Sequence, residues 1–219
     1  MKTDWILTTT STNPNEKESD NMPLINLDLD GVFADFMQGQ HDAHGIPYDI
    51  RNYPYPPGLW DMFTYNGCEI SWETANQHSC ENFWAHLPWM YDGRRLWQLI
   101  CEQIRLSDAQ MLTCPMMHEG SYTGKARWVR NNLKNMYTRT TISKVPKCEF
   151  IGKDERCLLI DDADKNVIQW REAGGQAILV PRPWNSNHRM PLTQAVDYVS
   201  EQLKEWKRMV GYDPGKENG

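Results

Sequence analysis

No two cysteines of the sequence are spaced CxxC. The six present (Cys68, Cys80, Cys101, Cys114, Cys148, Cys157) show no zinc-type spacing either. That excludes a zinc ribbon, and the thiols read as reduced, mostly small buried groups of a cytoplasmic protein. No apolar run approaches the length of a membrane span. The triplet Trp5-Ile6-Leu7 is too short for a signal-peptide core. Positive charge is scarce: 23 Lys and Arg against 29 Asp and Glu leave a net charge of -6. A long nucleic acid needs clustered cations on its phosphates, so it is not the expected main partner. A small anion held by a few local cations remains allowed.

The 219 residues suffice for one domain, with or without a small insertion. A chain of this length buries about 70% of its unfolded surface and needs no disulfides. Residues 8–21 are almost wholly Thr, Ser, Asn, Glu, Asp, Lys and Pro, so residues 1–21 read as a mobile tail. Strand patterns fall at 24–28, 110–114, 157–160 and 177–180, with a weaker one at 140–143. Helical spacing falls between them. Val32, Phe33 and Phe36 begin one helix that Gly45 stops; others cover 96–104, 123–136, 165–173 and 193–209. Residues 46–92 differ in texture. Prolines and aromatics crowd there without a strand pattern, and Ser71 is a plausible N-cap for a helix from Trp72. Strands alternating with helices predict an α/β fold: a Rossmann-like, doubly wound parallel sheet. A small, mostly helical, aromatic-rich cap is inserted after the first strand. The expected division is a tail at 1–21, a core of 22–45 and 93–212, and a cap of 46–92.

In such sheets ligands bind beyond the carboxyl ends of the strands. Three predicted strands end in polar chemistry there: Asp28 and Asp30 in DLDGVFAD, Thr113, and Asp161-Asp162. Side chains at i and i+2 of a strand share a face, so Asp28 and Asp30 can converge. Two like charges that close require a cation, a shared proton, or both. Hard carboxylate ligands suit Mg²⁺, which also binds substrate phosphate. Lys125, read as lying at a helix start, makes more sense beside an anion than in solvent. Lys144, Lys147 and Lys153 are further candidates that position alone does not separate. His41 and His44 read as an exposed helix end, and the basic cluster at 204–208 as a solvated face.

The motifs DLDGVFADF (28–36), LTCPM (112–116), Lys125 before Ala126-Arg127-Trp128-Val129, LLIDD (158–162) and PRPWN (181–185) resemble the haloacid dehalogenase superfamily of phosphohydrolases. The order holds from residue 24 to about 185. Within that superfamily the chain looks most like the 5'(3')-deoxyribonucleotidases and related phage-type phosphatases. The resemblance implies a HAD-like core, with Asp28 as the nucleophile that takes the phosphoryl group and Asp30 as general acid and base. It implies Mg²⁺ held by Asp28, the backbone carbonyl of Asp30, and Asp162, with Asp161 assisting. Thr113, Cys114, Lys125 and Lys147 would bind phosphate; Lys153 is the alternative to Lys147. Where the family often has Thr-Ser, this chain has Thr113-Cys114, with Cys114 expected as a buried, inert thiol. Phe36 and Trp60 match base-pocket positions. The implied activity is hydrolysis of (deoxy)nucleoside monophosphates. Alternatives are a phosphatase of nucleic-acid 3'-phosphates or sugar phosphates, or a catalytically silent nucleotide-binding module. The expected partner is a small phosphorylated molecule, a nucleotide first. A homodimer is allowed, and a membrane is not expected.

Overall fold

A computed structural model describes residues 24–151 and 156–215. The expected mobile tail and Lys153 lie outside the described residues. Five parallel strands form one sheet in the order β3-β2-β1-β4-β5: β1 Ile25–Leu27, β2 Ala109–Thr113, β3 Thr140–Ile142, β4 Leu158–Asp161 and β5 Gln176–Leu179. Seven α-helices are described: α1 Phe36–His44, α2 Trp72–His78, α3 Glu81–Ala85, α4 Gly93–Gln103, α5 Gly120–Asn132, α6 Asp164–Glu172 and α7 Ala195–Val210. This is the expected Rossmann-like α/β architecture. The period of two along each strand sends alternate side chains to opposite faces. Leu158 and Ile160 join a core with α4, α5 and α7, while Leu159 turns to the other side, against Val167 and Trp170 of α6. Among the described residues, no helix is long and apolar enough to cross a membrane.

Several expectations need correction. Val32, Phe33 and Ala34 are not helical. Gly31 takes a left-handed φ of 70°, which turns the chain, and the N–H groups of Phe33 and Ala34 both donate to the Leu29 carbonyl. The loop is then sewn to residues 88–90 by Asp35 N–H to Pro88 O (2.8 Å) and Met90 N–H to Phe33 O (2.7 Å). The helix begins only at Phe36, where Asp35 Oδ1 accepts from Gln38 N–H and caps it. Helix α5 begins at Gly120, so Lys125 lies beyond the first turn, where the macrodipole has faded. His41 is buried: its Nδ1 faces the Met37 carbonyl and must donate, so Nε2 accepts from Tyr55 O–H. Cys157 is buried, but Cys80, Cys101 and Cys114 are exposed.

Residues 46–92 pack in two ways. Ile50, Tyr55, Met62, Phe63, Ile70 and Ala75 form their own cluster with Met37, Met90 and Trp184. Trp84 and Leu87, in contrast, sit in the core of the sheet. The close approach of α3 to α5 depends on Gly124. A Cβ there would stand 2.4 Å from Trp84 Cβ and 2.6 Å from the Glu81 carbonyl oxygen. Helix α2 starts as expected, with Ser71 and Thr74 forming a reciprocal capping box.

Candidate active site

Because β1 lies between β2 and β4, the carboxyl ends of all three meet at one edge of the sheet. Asp28 follows β1, Thr113 ends β2, Asp161 ends β4 and Asp162 comes next. A cavity of about 320 Å³ opens above them. Asp28, Asp30, Cys114, Lys125, Lys147 and Asp162 belong to its polar lining, its floor, and Phe36 and Trp60 to its aromatic lining, its roof.

Asp28 and Asp30 do not share one counter-charge. Lys147 Nζ lies 2.7 Å from Asp28 Oδ1 and 2.6 Å from Asp161 Oδ2. Burial alone would favour a neutral amine at Lys147, but Asp161 and Asp28 outweigh it and hold the pKa above its ordinary value. Asp30 instead pairs with Lys125, which also donates to the Cys114 carbonyl and, at 3.1 Å, to Thr113 Oγ1. The Lys125 ammonium stands 4.5 Å from the centre of the Trp84 ring, a cation–π contact that ties α3 to the charged end. Burial raises the Asp30 pKa; the Lys125 charge opposes this and the Asp28 charge adds to it. Thr113 is buried and meets the site through Lys125, whereas Cys114 presents an exposed thiol to the cavity.

Asp28, Asp161 and Asp162 each offer a carboxylate oxygen, all within 4.8 Å of one another, and so form a group that can hold a metal ion. Their surroundings differ. Asp161 Oδ1 accepts from Ala163 N–H (2.8 Å) and Asn166 (3.2 Å), and Oδ2 from Lys147, so protein donors already serve both of its oxygens. Asp162 Oδ2 accepts from Trp184 Nε1 at 2.8 Å, but its Oδ1 is buried with no hydrogen-bond partner. Burial pushes the Asp162 pKa well up, and the charges of Asp161 and Asp28 push it further. A carboxylate in that position is relieved by a cation at Oδ1, so the donor set fits a hard divalent metal.

The rest of the cavity lining is largely apolar. Phe36 stacks on Trp84 with centroids 5.1 Å apart and planes within 7°, and meets Phe63 edge-on at 6.0 Å. Phe63 in turn meets Trp72 edge-on at 4.8 Å. Trp60 and Trp72 remain 48% and 45% exposed, leaving ring surface for a ligand. Three further residues serve the site without a role assigned to them from sequence, although Arg182 and Trp184 lie in the PRPWN motif. Trp184 and Asn166 bond the acidic pair, and Arg182 is buried against Asp92 at 2.9 Å. Asn166 meets its partner only 5 residues away, whereas Trp184 and Arg182 meet theirs across 22 and 90 residues, and PRPWN (181–185) is the signal that marked their segment.

No protein-family model matches the chain, and no curated protein matches it. Among solved structures, a hydrolase from Pseudomonas syringae is similar at 16% identity, covering 81% of this chain and 97% of that one with a TM-score of 0.41. The chemistry of the site therefore rests on its own side chains.

Proposed function

We propose that the protein is a Mg²⁺-dependent phosphatase of the haloacid dehalogenase type, most like the 5'(3')-deoxyribonucleotidases, acting on (deoxy)nucleoside monophosphates. The observation that carries this reading is the pairing of Asp28 with Lys147 and of Asp30 with Lys125 in a cavity whose remaining lining is rich in aromatic rings. Lys147 Nζ stands 2.7 Å from Asp28 Oδ1, and a carboxylate oxygen is the nucleophile this reading needs. An Asp28 oxygen attacks phosphorus; the ester P–O bond breaks and an aspartyl-phosphate forms. Asp30, whose pKa burial raises, gives a proton to the leaving oxygen and then takes one from the water that releases phosphate. Lys125 and Lys147 face the phosphoryl oxygens, and Thr113 orients Lys125. Mg²⁺ would be held by Asp28, Asp162 and the Asp30 carbonyl, and would supply positive charge against the phosphoryl group.

The segment 46–92 acts as a small cap. Its open tryptophan faces suit a flat base, a contact worth about 1–3 kcal/mol. The cavity volume falls at the lower end of the range for small-molecule sites. Six free thiols fit a reducing cytoplasm. The test is phosphate release from a panel of deoxynucleotides, sugar phosphates and a 3'-phosphorylated oligonucleotide, with and without EDTA. Nucleotides are expected to be the fastest substrates, EDTA to stop turnover, and Asp28→Asn to lower kcat by at least about 10³-fold. Metal-independent turnover or an active Asp28→Asn variant overturns the mechanism. Faster turnover of another phosphate class overturns the substrate.

A further inference from the structure

One short segment after β5, residues 181–185, reaches three parts of the acidic centre at once. Arg182 is fully buried, and each of its five N–H groups has an acceptor within reach. Nε donates to Gly31 O (2.6 Å). Nη1 and Nη2 grip the Asp92 carboxylate at 2.9 and 3.0 Å, and reach Pro181 O (3.1 Å) and Val32 O (3.4 Å). Two residues on, Trp184 Nε1 holds Asp162 Oδ2 at 2.8 Å. The Asn185 amide then donates to the Asp162 carbonyl and to the Val180 carbonyl, both at 2.8 Å. Gly31 completes the vice, because a Cβ there would stand 1.9 Å from Asp162 Oδ2. One carboxylate oxygen is thus trapped between the indole and the Gly31 backbone, and the other, Oδ1, is left without a partner.

We infer that residues 181–185 are the positioning segment of the acidic centre. Trp184 and Asn185 fix Asp162 so that Oδ1 is kept for a divalent cation, and Arg182 fixes the loop that carries Asp30. The inference rests on the reading that Asp162 holds a cation. Ligand-orienting partners of this kind change metal affinity by about 10–100-fold when removed. Trp184 also packs in the aromatic cluster with Met62 and Phe63, so the metal side and the apolar wall share one side chain.

The experiment is calorimetric titration of substrate-free protein with MgCl₂, in wild type, Asp162→Asn, Trp184→Phe and Asn185→Ala, each checked for folding by circular dichroism. Trp184→Phe is expected to bind Mg²⁺ about 10–100-fold more weakly than wild type, and Asn185→Ala several-fold more weakly. Wild-type Mg²⁺ affinity in a folded Trp184→Phe overturns the inference. If that variant does not fold, unchanged affinity in Asn185→Ala overturns it instead. Affinity unchanged in Asp162→Asn, or no binding by wild type, overturns the underlying cation reading as well, which separates the two failures.

Discussion

The polar and the aromatic linings of the cavity, its floor and its roof, are built on opposite principles. At the floor, side chains are held by charge: Lys147 between Asp28 and Asp161, and Lys125 against Asp30. At the roof they are held by area and shape, with Phe36, Phe63, Trp72 and Trp84 packed ring against ring. The floor is narrowly specified because Lys147, Asp28 and Asp161, and Lys125 and Asp30, are paired with one another, so that loss of one strands another. The roof is tolerant because dispersion and apolar burial accept many arrangements. The floor therefore specifies a reaction, while the roof specifies a class of shapes.

The sharpest way to break this contrast is Lys147→Met. It strands Asp28 and Asp161, two buried carboxylates, and is expected to cost about 3–5 kcal/mol in urea unfolding with EDTA present. A loss below about 1 kcal/mol would mean that charge pairing does not hold the floor. Next comes Asp35, the buried N-cap of α1. Burial raises its pKa from 3.8 to about 6. The native state therefore holds a proton that the unfolded chain has already lost. Asp35's contribution to stability is full below about pH 4 and is lost as pH rises through about 6, by up to about 3 kcal/mol. Asp35→Asn keeps the N-cap and removes that slope, so its advantage over wild type should grow between pH 4 and 7. A pH-independent difference would contradict this assignment.

At the roof the expected effects are smaller. Trp60→Ala removes a half-exposed ring and should raise KM roughly 5–30-fold, about 1–2 kcal/mol, with kcat nearly unchanged. A fall in kcat with KM unchanged would place Trp60 with the chemistry instead. Smallest is Ser71→Ala, which opens the capping box of α2 and should lower stability by about 1 kcal/mol. The melting temperature reports it, and no shift would show that packing alone carries that helix.

The difference between floor and roof also separates what was legible in sequence from what was not. The sheet and its order of elements follow from local periodicity: Leu158 to Ile160 read as a two-sided strand, and Val196, Val199, Leu203 and Trp206 as one helix face, all buried as expected. The helix start at Ser71 was legible from its cap. The start of α1 was not, because Val32, Phe33 and Phe36 suggest a helix, but Phe33 O and Asp35 N–H bond to Met90 and Pro88 across a buried loop. The exposure of Cys114 was equally invisible, since a cavity opens beside it.

The sequence by itself determined that acids would stand at the ends of parallel strands, because strand pattern and chain order place Asp28, Thr113 and Asp161-Asp162 at one edge. Only the tertiary structure decided which lysine serves which acid, that Asp161 is already satisfied while Asp162 Oδ1 is not, that Trp184 braces Asp162, and that Arg182 braces the loop after Asp30. The physical reason is range. Periodicity acts over a few residues, whereas Lys125 meets Asp30 across 95 residues and Arg182 meets Gly31 across 151.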